Sequence, residues 1–485
     1  MRKIKAVQER ILRNYLSFAA QTRFGEKHSF SSIKSYGEYR KRVPVSNTSA
    51  FQSDIEQMRA GRPDVLWPGV TRKFAFSAGT TGIPKQIPLT PEREASDRLF
   101  LKRAAISYLR QYPSSLFRVL GKHLSLPGQI KEDPDRPGVT YGEISGYLAS
   151  FAPEILVHFN LMSRRDAVTL DFDEKMALAL DRALKSNIRV FTTLPSIGLR
   201  FFQILLNKTG KQNMGEVWPG FKLFVCGGEP LNSFRKHISK LFEGKEIHFL
   251  ENYGSSEGYF AFNSSQDRND MQLMLDNNIF YEWIPDPSEN RDDLLHQETV
   301  PTWEVETGRK YAMVVTSNSG LWRYLLYDLV MFTRLDEPRI VVPGRVTNVH
   351  DRYGEAIESI HVRQVLEEAV RETGGIFSNY SLGVIMDSER DNPTHIWFIE
   401  WAEKPQDMQH FAELIDHNLI RINRSYEIRR KGGAISPPRF YDLNGNGMGS
   451  WQEKFYKIGA QTKVPRMIHD EERCRDLMKR CRRSV

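Results

Sequence analysis

Between Phe74 and Thr90 the chain reads Phe-Ala-Phe-Ser-Ala-Gly-Thr-Thr-Gly-Ile-Pro-Lys-Gln-Ile-Pro-Leu-Thr, an alternating apolar run ending in small and hydroxylated residues. Gly79 and Gly82 let successive backbone N–H groups turn toward one point, Ser77, Thr80 and Thr81 add hydroxyl donors, and Lys85 adds positive charge. Such a set suits a polyphosphate. A solvated Ser/Thr/Gly turn draws on the same residue types, so the loop alone leaves both readings open. The common nucleotide P-loop is excluded, because it needs Gly-Lys-Ser/Thr opening a helix, and Pro84 and Pro88 interrupt any helix here.

Three later stretches could supply what such a loop lacks. Tyr253-Gly254-Ser255-Ser256-Glu257-Gly258 offers a ring to stack on a base, a tight turn with hydroxyls, and a carboxylate at a strand end. A carboxylate beside a triphosphate suits Mg²⁺, which takes one or two carboxylates plus phosphate oxygens. Read by itself, the same motif is a polar turn whose Glu257 caps a following helix. Leu321 to Val330 carries Asp328, which could accept from ribose hydroxyls as acidic residues do in other nucleotide sites, although by itself an Asp between two apolar strands reads as a turn residue. Gly459-Ala-Gln-Thr-Lys463-Val-Pro-Arg466 places a lysine in a short segment that, without context, reads as surface.

Taken together, Ser77–Lys85, Tyr253–Gly258, Arg323–Asp328 and Gln461–Arg466 resemble the ordered motifs of the plant-hormone-conjugating acyl acid–amido synthetases. These form the auxin-induced Gretchen Hagen family of the acyl-adenylate-forming ligases. The resemblance extends to Asn14-Tyr15, Thr22–Phe30, Val43-Pro44-Val45, Phe280–Pro285 and Gly445–Trp451, and so covers nearly the whole chain. It implies an α/β protein with a large N-terminal domain of two β-sheets plus a β-barrel with packed helices, and a small mobile α+β C-terminal domain. It also implies that Ser77, Ala78, Gly79, Thr80, Thr81 and Lys85 hold ATP phosphates, that Tyr253 contacts adenine, and that Gly254, Ser255, Asp328 and Arg345 complete the nucleotide site. By the same resemblance Glu257 binds Mg²⁺, Asp328 takes the ribose, and Lys463 neutralises charge at the α-phosphate. Two residues depart from the family pattern. Ala78 stands where a second hydroxyl is frequent, and Tyr327 stands where Gly usually precedes the ribose carboxylate.

The elements that must position these residues follow from periodicity. Ile4, Val7, Ile11, Leu12, Tyr15, Leu16 and Ala19 repeat at helical spacing and predict a bracing helix. Pro91 starts a helix to about Leu109, with Glu92 and Glu94 in its first turn and Leu99, Leu101, Ala104, Ala105 and Tyr108 as packing positions. Strands at 188–194, 221–226 and 247–253 alternate with helices, which argues for an α/β sheet with ligands at the strand C-termini. That edge would carry an acyl pocket of Thr193, Ser196, Tyr259 and Phe260. Residues 264–334 read as a smaller β subdomain. The domain boundary is placed at residue 347, giving an adenylation domain over 1–347 and a C-terminal domain over 348–485 that carries Lys463.

At 485 residues, 40% hydrophobic and 26% charged, the chain has an ordinary globular composition with room for two or three cores. Three cysteines show neither a disulfide framework nor metal spacing, which predicts a reducing, cytoplasmic setting. No apolar run reaches membrane-spanning length, so insertion into a membrane is not expected. The net charge of +8 is a modest excess in so long a chain, and the basic tail from Arg473 to Arg483 interleaves no aromatics, so nucleic acid is not expected as a partner. The predicted activity is an ATP- and Mg²⁺-dependent ligation of a carboxylic acid to an amine, for which an amino acid is the first candidate. An acyl-CoA ligase sharing the adenylation step is one alternative. A non-catalytic nucleotide- or nucleic-acid-binding protein is the other.

Overall fold

The computed structural model describes residues 2–77, 85–229, 231–287, 291–346, 349–387, 391–443, 451 and 467–484. Their contacts divide into two compact units, one built from residues up to 77 and from 85 to 346, the other from residue 349 onward.

In the first unit, strands Lys73–Ser77 and Lys85–Pro88 form an antiparallel hairpin. The first of them also pairs in parallel with Thr140–Glu143, which carries Ile130–Glu132 on its other side, making a four-stranded sheet. Eleven further strands form one sheet. One half of it is parallel: Lys122–Ser125, Ile188–Thr192, Leu223–Gly227 and His248–Ser255 lie in that order. The other half is antiparallel and runs on through Gly258–Asn263, Met271–Leu273, Arg339–Arg345, Leu321–Arg334, Lys310–Ser317, Ile279–Pro285 and Val300–Pro301.

The expected α/β class is found, and two finer expectations are corrected. Among the described residues no sheet closes into a barrel, and the smaller β subdomain expected over 264–334 is not separate. The reason is Gly258–Asn263, which pairs with His248–Ser255 on one edge and Met271–Leu273 on the other. It splices the antiparallel strands onto the parallel ones, so a single continuous sheet forms.

The bracing helix Arg2–Phe18 buries Ile4, Ile11, Leu12, Tyr15 and Leu16, as its spacing predicts. It also buries Gln8, whose amide donates to Leu275 O and Ile279 O and accepts from Tyr281 N. One side chain thus pins the helix to strand Ile279–Pro285. Helix Pro91–Gln111 is capped by Thr90, whose hydroxyl accepts from Arg93 N at 3.1 Å. Its buried face is Arg93, Ser96, Asp97, Phe100, Ala104 and Tyr108, which shares Ala104 and Tyr108 with the predicted face; predicted Leu101 packs half-buried against the same core, while Leu99 is half-buried and Ala105 exposed.

The second unit is α+β. Its sheet runs Met467–Ile468, Ile376–Asp387, Asn392–Glu403, Ser436–Asp442, Arg482–Arg483. Alternation divides its residues between two cores. Trp397 and Ile399 face helices Ser359–Thr373 and Met408–Ile422, while Ile396 and Phe398 join Ile385, Trp451, Cys474 and Leu477 on the opposite side.

Candidate active site

Strand His248–Ser255 turns back as Gly258–Asn263 with Ser255 paired to Gly258, so Ser256 and Glu257 are a two-residue hairpin turn. The element after Glu257 is a strand, which removes the reading of Glu257 as the cap of a following helix. Two neighbours fix the turn. Ser256 Oγ donates to Phe76 O at 3.0 Å, and Ser256 O accepts from Arg93 Nη1 at 3.2 Å. The carboxylate-bearing turn is therefore bonded to the strand whose last residue, Ser77, precedes the predicted phosphate loop. Ser77 and Lys85 face each other in register, so both ends of the loop sit at one end of this hairpin.

The Glu257 carboxylate is buried and accepts from the Tyr324 hydroxyl at Oε1, 3.2 Å away. That hydroxyl is 2.6 Å from Thr48 Oγ1. Since the phenol proton is committed to Glu257, Thr48 is the donor in the second bond. Burial, then the nearby Glu257 charge, pushes the Tyr324 phenol well above its usual range, which keeps it a donor. Thr48 opens helix Thr48–Arg59, and the segment before it is clipped to the sheet by Ser46 N to Arg323 O and Leu325 N to Ser46 O. Helix Thr48–Arg59 thus reaches the predicted metal carboxylate through one phenol.

Asp328 lies at an irregularity in strand Leu321–Arg334. Ala312 pairs with Leu329 but Val314 pairs with Leu325, so the residues between bulge out and re-aim their side chains. The Tyr253 hydroxyl donates to Asp328 Oδ2 at 2.6 Å, and Arg345 Nε lies 3.3 Å from Oδ1. Arg345 Nη2 also donates to Leu326 O at 2.8 Å, holding the bulge from the adjacent strand. The residues read for adenine, ribose and nucleotide are thereby one hydrogen-bonded set.

Tyr327 has φ +64°, the left-handed region that favours glycine. The bulge geometry that suits Gly is kept with a tyrosine in it. Its ring packs among Val45, Ile284, Leu294, Val314 and Leu325 in a satellite core, so the bulk is absorbed there. Arg323, in the same motif, is a core residue: it is buried against Glu282 and donates to Arg40 O and Val43 O.

The acyl-pocket residues are not all brought together. Tyr259 and Phe260 are successive strand residues and face opposite ways. Tyr259 packs on Phe100, with ring centroids 5.2 Å apart, and Phe260 is fully buried in the main core beside Tyr253. Phe260 is therefore core and not pocket wall. Thr193 is buried at the parallel strand ends, its backbone N–H bonded to Val225 O and its hydroxyl without a hydrogen-bond partner among the described residues. Ser196 falls in the first turn of helix Pro195–Thr209. Ala78, Gly79, Thr80, Thr81, Lys463 and the glycine-rich stretch 444–450 lie outside the described residues.

Three residues that the sequence reading did not single out shape the site: Arg93, Thr48 and Tyr324. Arg93 pairs with Asp97 at 2.9 Å in full burial while holding Ser256. Burial drives the Asp97 carboxyl up, and Arg93 opposes it. The legible signal was the spacing: an Arg and an Asp four apart, in line with Phe100 and Ala104, are inward-facing charges.

Against families of known proteins, residues 1–209 match the GH3 family N-terminal domain, 272–345 its central domain, and 360–472 its C-terminal domain. The indole-3-acetic acid-amido synthetase GH3.4 of Arabidopsis thaliana is 20% identical over 391 residues, spanning 68% of this chain and 64% of its own length. Among solved structures, the GH3.15 acyl acid amido synthetase superposes with a TM-score of 0.61 at 17% identity, covering 99% of this chain and 94% of that one. A 2-hydroxyisobutyryl-CoA ligase, bound to its acyl-adenylate and CoA, gives 0.57 at 14% identity, covering 99% and 92%. The three domain matches follow one another in order through most of the sequence, and the chain belongs to the GH3 family.

Proposed function

We propose that this protein is an ATP-dependent acyl acid–amido synthetase. A substrate carboxylate oxygen attacks the α-phosphorus of ATP, the bond to the bridging oxygen breaks, and pyrophosphate leaves from an acyl-adenylate. An amine nitrogen, in the first instance that of an amino acid, then attacks the acyl carbon. AMP departs with the C–O bond electrons, and the amine loses its proton. The observation that carries this reading is the convergence on one hairpin turn: Glu257 is anchored to the strand entering the Ser77–Lys85 loop and held by Tyr324, while Tyr253 and Arg345 hold Asp328 nearby in the same sheet.

In this reading Tyr253, Asp328 and Arg345 take the nucleoside, Gly254 and Ser255 shape the turn, and Ser77–Thr81 with Lys85 take phosphates. Lys463 supplies positive charge for the α-phosphate, the stabilisation that such transfer chiefly needs. Thr193 and Ser196 border the acyl group, with Tyr259 beside them. The residues also fit Mg²⁺. Glu257 commits Oε1 to Tyr324, and Oε2 has no donor among the described residues, as a hard cation's ligand should. No group of three or more metal-ligating side chains gathers among the described residues, which suits an ion held largely by substrate phosphates. When bound, Mg²⁺ supplies charge neutralisation on the leaving phosphates.

Residues 1–347 form the adenylation domain and residues 348–485 the domain carrying Lys463. A cytoplasmic setting is supported by Cys226, Cys474 and Cys481 all being free thiols. The test is hydroxylamine trapping with a panel of carboxylic acids, followed by AMP release with amino acids or CoA as acceptor. An acid-dependent hydroxamate and amino-acid-dependent AMP release are expected. AMP release with CoA alone would make the protein an acyl-CoA ligase.

A further inference from the structure

From Arg98 to Lys131 the chain runs 34 residues with seven Lys or Arg and no Asp or Glu. For a protein of 68 basic and 60 acidic residues this is a pronounced segregation of charge. The same stretch holds four of the eight large hydrophobic side chains exposed among the described residues: Ile106, Leu116, Phe117 and Leu120. Phe117 is 79% exposed, the highest of them.

The local structure presents Leu116, Phe117 and Leu120 together. Helix Pro91–Gln111 ends at a tight turn in which Ser115 N donates to Tyr112 O and Leu116 N to Pro113 O, and the short helix Ser115–Val119 follows. Its inner side is anchored. Val119 packs with Tyr108, Leu109 and Tyr112 against the sheet, and His123 Nε2 donates to Val119 O, 2.9 Å away. Leu116 and Leu120 are four residues apart and Phe117 and Leu120 three, so all three share the outward face. Lys102, Arg103, Arg110, Arg118 and Lys122 are exposed in the same stretch of chain, Arg118 and Lys122 beside these three in sequence. Of these, Arg103 is paired with Asp276.

We infer that this surface is a peripheral docking site for an anionic lipid bilayer. Exposed Phe and Leu beside Lys and Arg is the composition of interfacial segments, where apolar side chains enter the acyl boundary and cations meet the headgroups. Each basic residue near such a surface and each exposed Phe or Leu that enters it adds to the affinity. Charge complementarity selects an anionic surface over a neutral one. The apolar part selects lipid over nucleic acid: three of the four side chains are aliphatic and cannot stack on bases, and Phe117 is the one aromatic among the four. No helix among the described residues is long and apolar enough to cross a membrane, so the contact is peripheral.

The test is flotation of the full-length protein with vesicles of phosphatidylcholine alone or with about a third phosphatidylserine. Wild type should float with the anionic vesicles and not the neutral ones, and release as salt is raised. Phe117→Glu and Arg118→Glu should each lower the floated fraction about ten-fold, the loss of one apolar anchor or of one cation replaced by a repelling charge. Both variants should keep the wild-type unfolding midpoint, since neither side chain is buried. Absence of flotation at low salt, or flotation unchanged in both variants, would overturn the inference. So would a wild-type dimer in sedimentation velocity that Phe117→Glu dissociates, or single-stranded RNA binding lost in the same variants, because the face would then serve a different partner.

Discussion

At the scale of residues, the site is a pair of carboxylates each held by a phenol: Glu257 by Tyr324 and Asp328 by Tyr253. Tyr324→Phe keeps the packing and deletes one hydrogen bond to a charged group, worth about 1.5 kcal/mol or more. It should raise the Mg²⁺ concentration needed for half-maximal adenylation about ten-fold, with a smaller change in the saturated rate, and titration of Mg²⁺ in a pyrophosphate-exchange assay reads both. Tyr327→Gly sets two effects against each other. It relieves a left-handed non-glycine residue, worth about 1 kcal/mol, but empties an aromatic-sized space in the Val45–Leu325 cluster, costing about 3 kcal/mol or more. The cavity wins, so the denaturation midpoint should fall by about 2 kcal/mol equivalent, while the Asp328 hydrogen bonds, made by other residues, persist. Glu257 and Asp328 were singled out in the sequence through the family resemblance, since each motif read alone is also an ordinary turn. Their pairing with phenols was not legible, because Tyr324 lies 67 residues from Glu257 and Tyr253 lies 75 from Asp328, and no periodicity links such pairs.

At the scale of elements, helix Pro91–Gln111 shows why the predicted face was partly wrong. Leu99 and Ala105 looked like packing positions, yet the helix buries Arg93, Ser96 and Asp97 on the line of Phe100, Ala104 and Tyr108. Polar residues inside an apolar stripe rotate the apparent face, and only the partner across the interface explains them. Here it is the Ser256–Glu257 turn and Ser319, to which Arg93 donates. Arg93→Ala leaves Asp97 charged, buried and unpaired, and should destabilise the protein by about 3–5 kcal/mol. Replacing both, as Arg93→Met with Asp97→Leu, should recover most of that stability in denaturant titration. It should not recover adenylation, because the Ser256 carbonyl still lacks its donor. The sheet's continuity was illegible for a related reason: Met271–Leu273 is a three-residue strand inside a polar run, and it alone joins Gly258–Asn263 to Arg339–Arg345.

At the scale of the whole molecule, the second unit carries buried ionisable groups that set its acid limit. His350 donates to Leu382 O, and burial, then the neighbouring His469, lowers its pKa to about 3. Glu355 would be raised by burial, but the His395 hydrogen bond and charge pull it down to about 2. In the unfolded chain His350 protonates near pH 6.5, whereas in the folded chain it stays neutral until about pH 3. The unfolded state therefore binds more protons as pH falls through that window. Glu355 acts with the same sign below its unfolded value of 4.5. Stability should be full above pH 6.5 and fall by about 2 kcal/mol between pH 7 and pH 5 from His350 alone. His350→Gln, which keeps a donor for Leu382 O and does not titrate, should flatten that slope in denaturation of the full chain. These groups bear on the fold, and the central claim concerns the chemistry of the first unit. Its most direct measurement is acid-dependent exchange of labelled pyrophosphate into ATP by the wild-type protein and by Glu257→Ala. Exchange with at least one carboxylic acid in the wild type, abolished in the folded Glu257→Ala variant, is the predicted result. No exchange with any acid from a folded wild-type protein, or full exchange in Glu257→Ala, would contradict it.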